Sequence, residues 1–524
     1  LPPRLKRLAG WLTSAVSAGV AAALAHASWE FLRSEMDAPK KIGDWLPVWI
    51  AELILPGAFA VMALRFVVQA EGWRGKVLGL LGIAVAGMLG RAWMEPYAAK
   101  ILWPAMILLF VSAAAGAPIF IAMGGAALLL FFSDGVAVSA VPLSAYQLVV
   151  DPNIPAIPLF TLAGFLLAEG KAGERLLALF RSLFGWMPGG LAIVTTLVCA
   201  FFTTFTGASG VTILALGGLL LPMLLQSGYR EPFSLGLVTS SGSIGLLFPP
   251  SLPVILYAIQ AHIPIPALFM AAAVPGTILV LAIAVLGIVE ARRARVPSFP
   301  FNPREAARAF WAAKWELLLP VVALVSLFGG FCGTIEAAAI TAAYALVVQT
   351  VVHREVHPIR DLPRVLVTSV TLIGGVIAIL GVAMGLTSYL VDAEVPQNMA
   401  IWVKEHVHSP LVFLLALNLF LIVVGALMDI FSAILVVVPL ILPAAEAFGI
   451  DPLHLGVIFL ANLELGYLVP PVGENLFLSS YRFNKPILRV AACTLPFILA
   501  ILVAVLVITY VPSLTLWAKP PAAP

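Results

Sequence analysis

The chain has 524 residues, of which 62% are hydrophobic and only 10% charged, with a mean hydropathy of +1.07 and a formal net charge of +3. Soluble chains carry about a quarter charged residues, so a solvated globular surface is excluded here. The alternating segments of a transmembrane β-barrel, a nucleic-acid module and a phosphate-cradling Gly-rich loop are also absent, and Cys199, Cys332 and Cys493 show no metal or disulfide spacing.

In chain order, apolar runs predict spans at 9–30, 48–68, 76–92, 103–115, 117–133 and 155–170, then an amphipathic stretch at 171–187. The run 191–227 is too long for one span and breaks at TGASG, Thr206–Gly210. It reads as a re-entrant hairpin. The run 232–260 is interrupted by SIGLLFPPS and reads as a discontinuous crossing helix. A span at 266–290 precedes a basic connector at 291–315. Spans follow at 317–330, 334–352 and 366–391, then an amphipathic stretch at 394–409. The run 410–448 breaks at GALMD, Gly425–Asp429, giving a second hairpin. The run 453–480, with LGYLVPPVG, is a second discontinuous helix, and 486–512 closes the chain. Each double proline lacks two amide donors, leaving neighbouring carbonyls free to bind something.

Threading the chain through these spans collects Lys and Arg on one side with a bias of about three to one. The rich side includes Arg4, Lys6, Arg7, Arg292, Arg293, Arg295, Arg304, Arg308, Lys314, Arg354, Arg360 and Arg364. The poor side includes Arg33, Lys40, Lys41, Arg91, Lys100, Lys404 and Lys519. The rich side is therefore cytoplasmic, with the N-terminal region on it and the C-terminus periplasmic. The halves also echo each other. Pro222 matches Pro443, Gly228 matches Gly449, Gly245 matches Gly466, and Pro249–Pro250 match Pro470–Pro471. With the first hairpin opening inward and the second outward, this is an inverted repeat, the architecture of secondary transporters. A catalytic constellation is not found, so an enzyme is not expected. Asp429 stands in the apolar run LIVVGALMDIFSAILVVV, where a carboxylate is a functional candidate by default. A structural hydrogen bond to the hairpin tip is the alternative.

The segments GASGVTILALGGLLLPMLLQSGY (207–229), SGSIGLLFPPSLPVILY (241–257), GGFCGTIEAAAITAAYAL (329–346) and NLELGYLVPPVGENLFLSS (462–480) resemble the large membrane subunit of tripartite ATP-independent periplasmic (TRAP) transporters. The resemblance runs over roughly 100–515. DWLPVWIAELILPGAFAVMALRFV (44–67) resembles part of the family's small membrane subunit, and 76–92 looks like the helix that joins the two in fused members. The resemblance implies an all-α inverted-repeat elevator in a bacterial inner membrane. Its parts are a small-subunit-like region at 1–70, a joining helix at 71–99, a first repeat at 100–290, a connector with amphipathic helix at 291–316 and a second repeat at 317–515. It also implies sodium-coupled uptake of a small carboxylate delivered by a periplasmic substrate-binding protein, with two or more sodium ions, no organic cofactor, membrane lipids around it and no nucleic-acid partner.

By the same resemblance, one sodium site uses Thr206, Gly207, Ser209 and Gly210 at the hairpin tip with Gly242, Ser243, Gly245 and Pro249 at the helix break. Helix packing is the plain alternative for Ser209 and Ser243. A second site uses Gly425, Asp429, Asn462, Gly466 and Pro470. Glu464 and Glu474 depart from the family pattern and, with Asn475, are substrate or coupling candidates. A salt bridge or a water-facing cavity wall is their alternative, whereas Glu336 fits the pattern. The small-subunit portion offers two spans before the joining helix where the family has four, so a further N-terminal segment before Leu1 is expected. Two other functions stay open: a sodium- or proton-coupled carboxylate carrier that needs no binding protein, and a membrane scaffold without transport.

Overall fold

The computed structural model describes residues 3–37, 41–42, 46–89 and 96–517. Arg91, Lys40, Lys519 and the end of the predicted span 76–92 lie outside the described residues. Among the described residues, ten helices are long and apolar enough to cross a membrane, or up to twelve if each of two bent pairs counts as one span. A two-stranded antiparallel ladder, Lys41–Ile42 with Leu46–Pro47, is the one departure from an all-α chain among them.

The described residues form two compact units. One comprises Leu1–Asp151 with Gly374–Pro396, and the other Pro152–Ile373 with Gln397–Pro524. Packing therefore divides the chain differently from a division by repeats, because residues 374–396 join the N-terminal helices. In the first unit, Pro3–Asp37 packs against Gly72–Leu89 backbone to backbone. A Cβ on Gly82 would lie 2.1 Å from the Ala15 carbonyl oxygen, and one on Gly19 would lie 2.9 Å from that of Gly82. Small residues permit this approach where apolar burial gives no drive in lipid. The helix Ala140–Val149, not predicted from its sequence, also belongs to this unit. Tyr389 donates to Asp134 at 2.7 Å and meets Phe131 edge-on.

In the second unit both predicted hairpins form. Thr203 and Thr212 touch at 2.7 Å across the break between Gly190–Thr206 and Ser209–Gln226. A continuous helix would hold residues nine apart about 13 Å from each other, so the chain reverses. The pair Pro410–Leu427 and Ile430–Ala447 reverses likewise, since Phe413 stacks on Phe448 at 4.6 Å between ring centroids. The first discontinuous helix is Glu231–Ser241, a 3-10 turn at Ile244–Leu247, and Leu252–Gln260, bent by 46°. The second is Pro452–Gly466 followed by Glu474–Phe483. Both double prolines have cis peptide bonds.

The expected connector needs correction. Pro303–Phe328 is one continuous helix, so residues 303–316 belong to the span that follows, and the connecting segment is 295–302. Asn302 caps this helix by accepting from the Arg304 amide at 3.1 Å, with Pro303 at its first position.

A bend of 76° lies between Ala156–Glu169 and Ala172–Phe184. A cluster of ionised groups fixes the start of the second helix. Arg175 pairs with Glu316 at 2.6 Å and with Glu355 at 2.6 Å, and the Lys171 amide donates to Glu355 at 2.7 Å. That helix has no cap from its own side chains, so Glu355 supplies one from a distant part of the chain. Burial pushes the Glu355 carboxyl up, but hydrogen bonds from Arg175 and the Lys171 amide outweigh it and hold it below its ordinary value of 4.5.

Candidate transport site

The site is built where the hairpin tips meet the helix breaks. At the first tip the helix stops because Gly207 adopts a left-handed conformation, with φ of 65°. A Cβ there would lie 2.5 Å from Leu252. The tip therefore sits directly against Leu252–Gln260. The neighbouring break is held by two residues that sequence reasoning missed. Thr203 donates to the Gly242 carbonyl at 2.7 Å, and Thr204 to the Gly245 carbonyl at 3.0 Å. These two carbonyls, expected to be free, already accept hydrogen bonds. Gly245 is needed for this approach, because its Cβ would lie 2.2 Å from the Ala200 carbonyl oxygen.

At the second tip, Asp429 caps Ile430–Ala447. One carboxylate oxygen accepts from the Phe431 and Ser432 amides at 3.0 Å, and the other from the Ser432 hydroxyl at 2.6 Å. The Ile430 amide donates to the Tyr467 hydroxyl at 2.7 Å. Gly425 and Gly466 touch through their backbones, with a Cβ on Gly466 falling 2.6 Å from the Gly425 Cα. The Ala426 carbonyl accepts from the Val472 and Gly473 amides, which ties this tip to the loop after Pro470–Pro471.

The two tips converge through the N-terminus of Glu474–Phe483. The Asn475 amide nitrogen donates to the Ser243 hydroxyl and to the Thr239 carbonyl, both at 3.2 Å. One Glu474 carboxylate oxygen lies 3.7 Å from where a Cβ on Gly210 would stand. The same carboxyl interacts with the Tyr467 hydroxyl and lies in the field of Asp429. Thus Ser243, Gly210, Glu474, Asn475, Tyr467 and Asp429 form one locus. Tyr467, which joins Ile430 to Glu474, was not found from sequence.

Asn462 is held elsewhere. It donates to Asn418 at 2.6 Å, and Thr509 donates to the same Asn418 oxygen at 3.1 Å. Glu464 is 2% exposed, and no hydrogen bond or ion pair joins it to Glu474 among the described residues. Several buried oxygens have no hydrogen-bond partner: Ser209 Oγ, Ser251 Oγ, Asn462 Oδ1, Asn475 Oδ1 and Glu464 Oε1. Buried polar atoms are nearly always satisfied, and unpartnered oxygens occur in other parts of the chain too, as at Ser17, Ser112 and Thr161. Hydroxyl, amide and carboxylate oxygens are the ligands of hard cations.

The family model for the DctM component of tripartite ATP-independent periplasmic transporters matches residues 106–514. The chain belongs to this family. The DctQ component model matches residues 1–75, so small and large permease parts are fused here. The isethionate TRAP transporter permease DctMQ of Oleidesulfovibrio alaskensis is 30% identical over 529 residues, covering 99% of this chain and 82% of that protein. The C4-dicarboxylate large permease DctM of Pseudomonas aeruginosa is 34% identical over 394 residues, covering 75% of this chain and 92% of the relative. The YdaH transporter of Alcanivorax borkumensis shares the fold, with a TM-score of 0.54 at 14% identity over 71% of this chain and 87% of that one. This TRAP permease is therefore a multi-pass inner-membrane transport protein and not an enzyme. Its family are secondary transporters of small carboxylates and related solutes, generally coupled to sodium or protons, and they normally pair with a periplasmic binding protein.

Proposed function

We propose that the chain takes up a small organic acid by sodium symport, receiving it from a periplasmic substrate-binding protein and carrying it by an elevator movement of the hairpin-bearing part. The observation that carries this reading is the match of both permease models to the chain, with unpartnered oxygens of Ser209, Ser251 and Asn475 near the first tip and the breaks beside it. Relatives named for isethionate and for C4-dicarboxylates point to a small anion as cargo. Ser209, Ser243 and the backbone of Thr206–Gly210 and Pro249 would hold one sodium, with the second lone pair of the Gly242 carbonyl. Gly245, whose carbonyl accepts from both Thr204 and Phe248, would shape the site. Gly425, Asp429, Gly466 and the loop around Pro470 would hold another. Asn462 would act from the side, through the Asn418 pair. The helix N-termini at Ser209 and Glu474, which no side chain caps, offer positive dipole ends to a carboxylate. The inverted repeat would place one hairpin entrance inside and the other outside, with the N-terminal region cytoplasmic and the C-terminus periplasmic.

A second reading has one observation in its favour. Glu464 is buried with an unpartnered carboxylate oxygen, which suits a coupling proton better than a structural role. It would make the carrier proton-coupled.

Sodium is expected to raise the melting temperature of the purified permease, and potassium at equal ionic strength to leave it nearly unchanged. A ligand present at about a hundred times its Kd stabilises the folded state by about 2.7 kcal/mol. Differential scanning fluorimetry in detergent checks this. Equal shifts from the two salts would remove the case for sodium sites.

A further inference from the structure

Away from the hairpins, the helix Ala172–Phe184 and the start of Pro303–Phe328 line an open cavity of about 530 Å³. Arg181 and Arg308 line it from these two helices, with Glu305 the only acid among its lining residues. Neither guanidinium has an ion-pair partner among the described residues. Arg181 lies over the Phe299 ring at 4.6 Å, and the Phe299 amide donates to the Gly185 carbonyl at 3.0 Å, so the wall carrying this charge is fixed in place. The flanking segment adds Arg292, Arg293, Arg295 and Arg304, all exposed.

Trp186, 51% exposed, also lines the cavity, while Phe310 (54%) and Trp311 (69%) project from other faces of their helix. Lys314 lies over the Trp311 ring at 3.4 Å. Large exposed aromatic rings are apolar surface that is costly to leave in bulk water. They are at home at the boundary of a bilayer, where one part of the side chain meets acyl chains and the other meets headgroups. Pro303–Phe328 is one of the helices long and apolar enough to span, so its first turns stand at that boundary. A basic pocket between helices at this level suits a phosphodiester carrying negative charge.

We propose that this cavity is a binding site for the headgroup of an anionic phospholipid, its phosphate held between Arg181 and Arg308 and its acyl chains leaving past Trp186. Charge complementarity selects an anionic lipid over a zwitterionic one, because the latter brings an ammonium group toward the two arginines. Glu305 sets a limit on the headgroup: a second negative charge placed beside it would be repelled.

Native mass spectrometry of the full chain, titrated with dioleoyl-phosphatidylglycerol or dioleoyl-phosphatidylcholine, tests this. One phosphatidylglycerol should be retained at concentrations where phosphatidylcholine is lost. Arg181→Gln and Arg308→Gln should each weaken that retention about fivefold, the factor for about 1 kcal/mol per basic residue. Arg308→Lys should keep most of it. Arg360→Gln, an exposed arginine outside the cavity lining, should leave it unchanged. Inorganic phosphate at matched concentration should not displace the lipid. Lipid-free melting temperatures establish that each variant is folded. Equal retention of the two lipids, an Arg360→Gln loss matching that of Arg308→Gln, or displacement by phosphate alone would overturn the proposal.

Discussion

Asp429→Asn is expected to lose most transport and most of the sodium-dependent stabilisation while the protein remains as stable as the parent. The carboxylate accepts two amides and one hydroxyl at the start of Ile430–Ala447. Asparagine is as good a cap as aspartate, whereas alanine costs about 1 kcal/mol. The asparagine oxygen can keep the two amide bonds, and its amino group can donate to the Ser432 hydroxyl in place of the lost acceptor. What disappears is the negative charge beside Glu474. The asparagine variant thus separates the capping role, which geometry makes plain, from the ion-binding role. Melting curves with and without sodium, beside uptake, read the two separately. Normal uptake with an unchanged sodium response would leave Asp429 as a helix cap and nothing more.

Arg175→Ala is expected to cost about 3–5 kcal/mol, the usual result of removing one partner from a buried ion pair. The Glu316 side chain is 0% exposed, and Arg175 lies 2.6 Å from it. Without the guanidinium, Glu316 keeps His353, at 3.2 Å, as its remaining basic neighbour. The bend between Ala156–Glu169 and Ala172–Phe184 loses its anchor at the same time, because Glu355 both pairs with Arg175 and caps the second helix. Glu355 titrates below its ordinary value of 4.5 in the folded chain. Its stabilisation is therefore complete above that value and is lost as the pH falls through the lower, folded value. Denaturation in detergent should show the largest gap between parent and variant near neutral pH, and a narrowing gap in acid. A gap of less than about 1 kcal/mol at neutral pH would place Arg175 among exposed pairs of little worth.

Much of this architecture is legible in the residues. The runs 191–227 and 410–448 exceed one span, and a Gly-containing break in each turns the excess into a hairpin. The helix breaks follow from paired prolines, which cannot donate to a helix ladder. The extent of Pro303–Phe328 was missed because its first turns carry Arg304, Arg308 and Lys314, which read as a connector. Asn302 followed by Pro303 is the capping signal that would have placed its start. Ala140–Val149 carries too short an apolar run to announce itself as a span. Thr203 and Thr204 look like ordinary helical threonines that bond back to their own turn. Only the tertiary approach of Gly242 and Gly245 gives them a second acceptor. The Arg175, Glu316 and Glu355 cluster joins distant parts of the chain, and no local pattern encodes that meeting. Glu474 and Asn475 were marked as candidates, but their position between the two tips comes from packing alone.

The most direct measurement is uptake into proteoliposomes holding the purified permease, driven by an inward sodium gradient, with the cognate periplasmic binding protein and its labelled ligand outside. Uptake is expected only with both the gradient and the binding protein, and should stop when potassium replaces sodium. Equal uptake without the binding protein, or uptake that follows a proton gradient in the absence of sodium, would contradict the account.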